Sequence, residues 1–456
     1  MAGAMEIPAA IDRCFPTACS RTTPGAMKRA QLIFYGWFIV AIGILSYAMG
    51  YGARYSFSVI FPALLDEFHW PRDITALMLS VHMLVYGLVA PLAGKLVDRI
   101  GPRKTMTFGV TLLSTGLALS ALGTSPWHFY ATFGVLAGAG LCMIGAVPFT
   151  TVLRNWFEAR RGLALSLLFF GAGSAFIWYP LIAYLIGRGG WRYTFVVEAG
   201  AIPLIMLPLI VLGVRYHPRE KGLLSDGVLR TAANPSTERS GRSRIVDPQW
   251  TAVEWTLPKA VRTGRFWLVC FSTFSLWGIM QHIMVTHHVA FATDMGFTQG
   301  YASAVLSLFG IFFAAGCLAA FISDRIGREV TITLGTISSV SGIIVLIFLK
   351  GPAHAGMLYY YAATCGLGLG LSTPTIAAVI TDIFQGPSVG ATIGFVWFSF
   401  AVGGCIGPWL GGWFFEVFQS YRGAFWVAAG WNIVACLAIW FAAPRKIRLV
   451  PGRVKP

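Results

Sequence analysis

Gly94 to Lys104 reads GKLVDRIGPRK, and a shorter version returns at Phe321 to Glu329 as FISDRIGRE. Each copy places Asp-Arg-x-Gly and then a basic residue in the connector after the second long apolar run of its half of the chain. Gly101 and Gly327 suit a tight reversal between antiparallel helices, and the charges around them keep such a connector at a membrane surface. Asp98 and Asp324 are placed to cap a helix end or to pair with nearby arginines. Each connector can then act as a latch that holds one packing of helices and releases it. Two copies at matching places indicate two related halves.

Composition points the same way. Of 456 residues, 56% are hydrophobic and 11% charged, whereas a soluble domain carries about a quarter charged residues. The chain is built for a bilayer. Its net charge of +16 is scattered between apolar runs and is not interleaved with aromatics on a soluble face, so nucleic acid is not an expected partner. The eight cysteines show no CxxC or Cys/His ligand spacing, and Cys142, Cys270, Cys365, Cys405 and Cys436 fall inside apolar runs as packing residues. No metal and no cofactor is expected.

About twelve runs are long enough to span, at roughly 20 apolar residues each. They fall near 35–60, 74–97, 104–122, 126–152, 162–186 and 191–214, and then near 265–291, 299–322, 330–349, 355–381, 388–413 and 422–443. The expected fold is an all-α membrane protein with twelve transmembrane helices in two pseudo-symmetric six-helix bundles, residues 34–214 and 265–443. Residues 215–264 read as a polar cytoplasmic linker with a short amphipathic turn near Thr251 to Lys259, and 444–456 as a basic tail. Residues 1–33 read as an unstructured tail without a signal peptide. Met27-Lys28-Arg29 precedes the first run, so Met27 is the expected start, a reading that intact-mass analysis checks. Lysines and arginines gather in connectors on one side, which predicts that both termini face the cytoplasm of a cell (inner or plasma) membrane. Runs such as GVLAGAG and GLGLGLS allow close helix approach, and Pro148, Pro180, Pro374 and Pro408 should bend their spans.

The first connector resembles the signature loop of the major facilitator superfamily, matched here by Gly94, Asp98, Arg99, Gly101, Arg103 and Lys104. Asp324, Arg325, Gly327 and Arg328 repeat its core in the second half. The opening YGWFIVAIGIL, the connector RNWFEARRGLALSL at 154–167 and the ending GPWLGGWFFEVFQSYRGAFW at 407–426 are similar to the monocarboxylate porter and oxalate/formate antiporter branch. Trp156, Phe157, Arg160, Arg161 and Gly162 match its fourth-to-fifth connector. The resemblance implies a non-enzymatic secondary transporter, acting as a monomer by alternating access on small organic anions such as lactate, pyruvate, formate or oxalate, with protons or an exchanged counter-ion as second partner. The eighth and eleventh spans carry no charge, although porters of this branch often place charged anchors there. An exporter or transporter of another small polar molecule is therefore the alternative, and a non-transporting membrane sensor a further one.

Ionisable residues inside spans are the candidate site. Arg54, in the outer third of the first span and near where the resembled porters carry a lysine, binds an anion, stabilises a gate or snorkels to the outer headgroups. His82 is either a proton or substrate group or a neutral histidine held by a neighbour. Gln281 and His282 in QHIMVTHHVAFATD should face a central path, with His287 and His288 nearer its outer end. Trp178, Tyr179 and Trp397 are cavity-lining candidates. Glu198, the only carboxylate well inside a first-half span, is expected in a structural pair in preference to a proton relay, and Asp382 in capping of an inner gate.

Overall fold

Helices dominate because each apolar run satisfies its own backbone amides and carbonyls, as a bilayer demands. The computed structural model describes residues 34–157, 161–223, 225, 245–385 and 389–450. The expectations for Met27, the 1–33 tail, Arg160, most of the linker and the last residues of the basic tail lie outside these, as do the side chains of Arg161 and Gly162. Among the described residues the only β pairing is one bridge between Ile245 and Arg448. Tyr35 ends a separate N-terminal unit, and the residues from Gly36 onward form one.

The spanning helices are α1 (Tyr35–Phe68), α2 (Arg72–Ile100), α3 (Pro102–Ser120), α4 (Pro126–Trp156), α5 and α6 (together Leu163–Gly213), α7 (Gly264–Asp294), α8 (Gln299–Ile326), α9 (Arg328–Ile347), α10 (Pro352–Ile383), α11 (Ala391–Phe418) and α12 (Arg422–Ala442). Ten segments meet a strict test of length and apolarity. Leu163–Gly213 counts once there but contains two helices, because Gly190 stands at φ 76° and breaks it. The hydroxyl-rich α3, opening on Arg103 and Lys104, is the crossing that apolarity alone passes over. With both included, the described residues make twelve crossings.

Both signature connectors reverse on glycine, Gly101 at φ 84° between α2 and α3 and Gly327 at φ 108° between α8 and α9. Most side chains avoid that region at a cost of about 1–2 kcal/mol. The end of the bundle holding these connectors is called the signature end below, and the opposite end the far end. Across the halves, α2 packs on α11, α1 on α7, and α5 on α8. Small residues allow this: a Cβ on Gly87 of α2 would sit 2.5 Å from Ala401 of α11, and one on Gly173 of α5 2.9 Å from Phe313 of α8. Two of the expected bends appear as interruptions just before the proline, a non-helical Gly145 ahead of Pro148 and a 3-10 turn, Ala175–Trp178, ahead of Pro180.

Two expectations need correction. The first span does not stop near 60; it continues for 34 residues to Phe68. The chain between 245 and 264 holds more than one amphipathic turn near Thr251 to Lys259. It forms two short helices, Pro248–Thr251 and Leu257–Val261, and Trp250 Nε1 donates to Ile383 O at 2.8 Å, which ties it to α10.

Candidate functional site

The longer α1 changes the place of Arg54 along it. At 1.5 Å per residue it lies roughly 20 to 30 Å from either end of the helix, near the middle of its length. Arg54 is 0% exposed. Tyr47, Tyr51 and Tyr55, four residues apart, form a ladder along this face, with ring centroids 5.1 and 6.1 Å apart. The guanidinium carbon lies 4.6 Å from the centroid of Tyr51 and 4.4 Å from that of Tyr86 on α2, whose hydroxyls are 3.2 Å apart. Among the described residues none of its three nitrogens has a hydrogen-bond partner of ordinary geometry, and the Tyr55 hydroxyl is a further polar group that interacts with it. Facing aromatic rings contribute about 2 kcal/mol to a desolvated cation, less than the roughly 3–5 kcal/mol cost of a buried charge without its partner. The aromatic cage alone does not offset that burial.

Two histidines flank the guanidinium, one from each half. His82 Nδ1 lies 2.9 Å from Phe133 O, and His282 Nδ1 lies 2.8 Å from Trp277 O and 3.1 Å from Gly278 O. Carbonyls only accept, so Nδ1–H donates in both rings, and each Nε2 presents a buried lone pair with no partner among the described residues. Arg54 interacts electrostatically with both rings. Gln281 joins from α7, its Nε2 donating to the Tyr55 hydroxyl at 3.3 Å. A π-helical turn, Phe274–Met280, ends immediately before it and re-aims the residues that follow, a local device the apolar pattern does not announce.

The structure thus brings Arg54, His82, Gln281 and His282 together, with Tyr51, Tyr55 and Tyr86 as members that the sequence reading missed. The four-residue tyrosine spacing in α1 was the signal available. Tyr179 is buried and close to Tyr55, whereas half-buried Trp178 packs against α1 at Gly52. Trp397 stands one layer nearer the signature end, stacked on Trp277 at 5.2 Å and on Phe169 at 5.8 Å. Phe400 links that layer to His282, 5.6 Å between rings. His287 and His288 do not enter the cluster: His287 Nε2 donates to Pro408 O at 2.8 Å, and His288 stacks on Tyr361 at 5.3 Å.

Nearer the ends, charge holds the helices. At the far end Arg72 reaches across the halves, donating to both Asp294 oxygens at 2.7 and 3.0 Å and to the Tyr421 hydroxyl at 2.8 Å. Its guanidinium covers Phe415 at 3.6 Å, and its backbone N–H donates to Glu416 at 2.7 Å. This latch was not among the sequence candidates, because its members are far apart in the chain. At the signature end, Arg328 bonds Asp382 at 2.9 Å, Asp324 at 2.8 Å and the Ser323 hydroxyl at 2.6 Å. The first copy behaves otherwise. Asp98 and Arg99 are exposed, Asp98 forms no ion pair among the described residues, and Arg103 instead donates to Val214 O and pairs with Glu220 at 3.4 Å. Gly94 lies where α2 passes close to α4, 3.7 Å from Val147 if given a Cβ, while Lys104 and Arg325 are exposed.

The family model of the Major Facilitator Superfamily matches residues 43–405, and again 318–455. The chain belongs to this superfamily. Curated relatives of this superfamily member include an uncharacterized MFS-type transporter, YcxA, of Bacillus subtilis, 27% identical over 94% of this chain and 96% of that one. The monocarboxylate transporter 13 of Bos taurus is 25% identical over 90% and 89%, and the oxalate:formate antiporter of Oxalobacter formigenes 24% identical over 95% and 97%. Among solved structures, a bacterial homolog of the human lysosomal transporter Spinster superposes with a TM-score of 0.63 at 13% identity, covering 90% of this chain and 97% of that one. The proton:xylose symporter XylE gives 0.62 at 16%, covering 89% and 95%. These two establish the fold and nothing finer.

Proposed function

We propose that the protein is a secondary transporter of small organic anions, in which residues 34–214 and 265–443 rock as two bundles about the Arg54 cluster. The observation that carries this is the fully buried guanidinium near the middle of α1, held between two rings with no hydrogen-bond partner of ordinary geometry among the described residues. A planar carboxylate offers the matching acceptors and the missing charge. Tyr51, Tyr55, Tyr86 and Gln281 supply hydroxyl and amide groups to orient it, and the histidine lone pairs accept from a hydroxyl or a protonated acid. The similarity to a monocarboxylate transporter and an oxalate:formate antiporter supports the same class. Movement of the ligand needs an unlatched path, which the Arg72 contacts close at the far end. In this reading the signature end faces the cytoplasm, both termini lie there, and a proton or a second anion moves in the coupled step.

The test is a thermal-shift screen of formate, oxalate, lactate and pyruvate on the purified protein, followed by uptake into proteoliposomes. A ligand that binds only the folded state raises the melting temperature. Arg54→Ala removes charge-assisted bonds of about 1.5–3 kcal/mol, so affinity should fall roughly 10-fold or more. Stabilisation by none of the acids, or stabilisation unaltered by Arg54→Ala, overturns the assignment. Neutral solutes that stabilise where all acids fail would favour the exporter or polar-solute reading, to which the uncharged stretches 299–322 of α8 and 391–413 of α11 already point.

A further inference from the structure

Glu198 on α6 was expected in a structural pair, yet no cation pairs with it among the described residues, and it is only 8% exposed. The helices around α6 hold their titratable groups elsewhere. Asp66 and Glu67 sit in the last turn of α1, with Glu67 taken up by Trp191 Nε1 at 2.7 Å and Arg192 at 2.6 Å. Arg103 and Lys104 open α3 at the signature end, His128 in the first turn of α4 bonds Leu119 O, and Tyr301 lies in the first turn of α8. Arg54 points into its aromatic cage. Among the described residues, the one side chain that hydrogen-bonds the carboxyl is Ser56.

Ser56 is no ordinary neighbour. It interrupts α1, standing between the helical stretches Tyr35–Tyr55 and Phe57–Phe68, two residues after Arg54. Its Oγ lies 2.9 Å from Ala53 O and 3.2 Å from Glu198 Oε2. A hydroxyl has one proton to give. With an ionised carboxyl the Ser56 proton is shared between Glu198 and Ala53 O in a bifurcated bond, and Ala53 O, in the turn of α1 that carries Arg54, holds only part of it. Both contacts become full two-centre bonds when the carboxyl carries its own proton and donates it to Ser56 while Ser56 donates to Ala53 O.

We propose that Glu198 is a proton-binding site of the transport cycle, read out through Ser56 at the break in α1. Taking up one proton from solution completes the chain Glu198 to Ser56 to Ala53 and sets the break as seen here; releasing it weakens the bond to the carbonyl beside Arg54 and lets the two halves of α1 reorient. One protonation is thereby tied to the position of the substrate-binding guanidinium. The proposal deepens the transport reading, and it moves the coupling proton from the histidines of the central cluster to a carboxyl behind it.

The test needs no substrate, so it stands or falls separately from the anion assignment. Infrared difference spectra of the purified, full-length protein are recorded across a pH series for the wild type and for Glu198→Gln, whose amide donates to Ser56 as the protonated acid does. A carboxylic-acid band that is present in the wild type, is lost as pH rises and is missing from Glu198→Gln is expected. In parallel, spin labels at Asp66 and Gly300, on either side of the far-end contact where Gln299 Nε2 donates to Val59 O at 2.6 Å, report the separation of the halves. The wild-type distance distribution should shift with pH. Glu198→Gln should stay in the low-pH distribution throughout, and Ser56→Ala should keep the band while losing at least half of the distance response. A Glu198→Gln variant that melts normally and keeps the full wild-type pH response overturns the proposal, as does the absence of any band assigned to Glu198.

Discussion

Removing the Arg72 guanidinium should open the far end by an amount that its contacts specify. The side chains of Arg72 and Asp294 are 18% and 31% exposed, so their ion pair is partly screened and contributes about 1 kcal/mol, the upper part of the range for accessible pairs. The bond to Tyr421 adds about 1 kcal/mol and the stacking on Phe415 about 0.5–1 kcal/mol. An Arg72→Ala substitution should therefore shift the closed-to-open equilibrium by roughly 2–3 kcal/mol, about 30- to 150-fold at 1.4 kcal/mol per decade. Thr286, on α7 beneath the latch and 1% exposed, serves as the reporter once changed to cysteine. When opening precedes labelling, the rate of its reaction with a polar thiol reagent follows the open population, so it should rise by that factor in Arg72→Ala. Arg72→Lys retains the charge but not the fork and should fall between the two. A rate that changes less than about threefold, in a protein that still melts where the wild type does, would show that the latch contributes none of the closure energy and would remove the reasoning built on it.

Other substitutions test other parts. Arg54→Met replaces an unpaired buried charge with an apolar chain of similar length and should raise the melting temperature of the ligand-free protein by about 2 °C or more while abolishing anion binding, because the site sacrifices stability for recognition; differential scanning fluorimetry reads both. Arg328→Ala leaves Asp382 and Asp324 facing each other without their cation and should cost about 3 kcal/mol, seen as earlier aggregation on heating, with Asp382→Asn milder since Asp324 remains paired. Gly140→Ala drives a Cβ into the backbone N of Leu113 where α4 crosses α3, and should abolish folded yield. Gly430→Ala, with nothing within 4 Å, should stay within about 0.5 kcal/mol of the wild type.

The bilayer architecture was legible in the chain because lipid leaves few options. Twelve apolar runs, the repeated Asp-Arg-x-Gly connector and the scarcity of charge specify helices, their number and their reversal points through local properties alone. Gly101 and Gly327 needed no tertiary information to be recognised as turns. Arg54, His82, Gln281 and His282 were equally legible, since a polar group inside a span has to face the protein interior. What the letters did not carry was contact between distant segments: the union of Arg72, Asp294, Glu416 and Tyr421, the extra turns that take α1 to Phe68 and leave Arg54 near its middle, and the meeting of Ser56 with Glu198. The duplicated connector shows the same limit, for identical motifs took different partners, Arg328 closing on Asp382 while Arg103 turned to Glu220. Helix formation is decided within each segment by backbone hydrogen bonding in lipid, whereas which side chains meet depends on helix rotation and crossing, and those are set only when all twelve pack together.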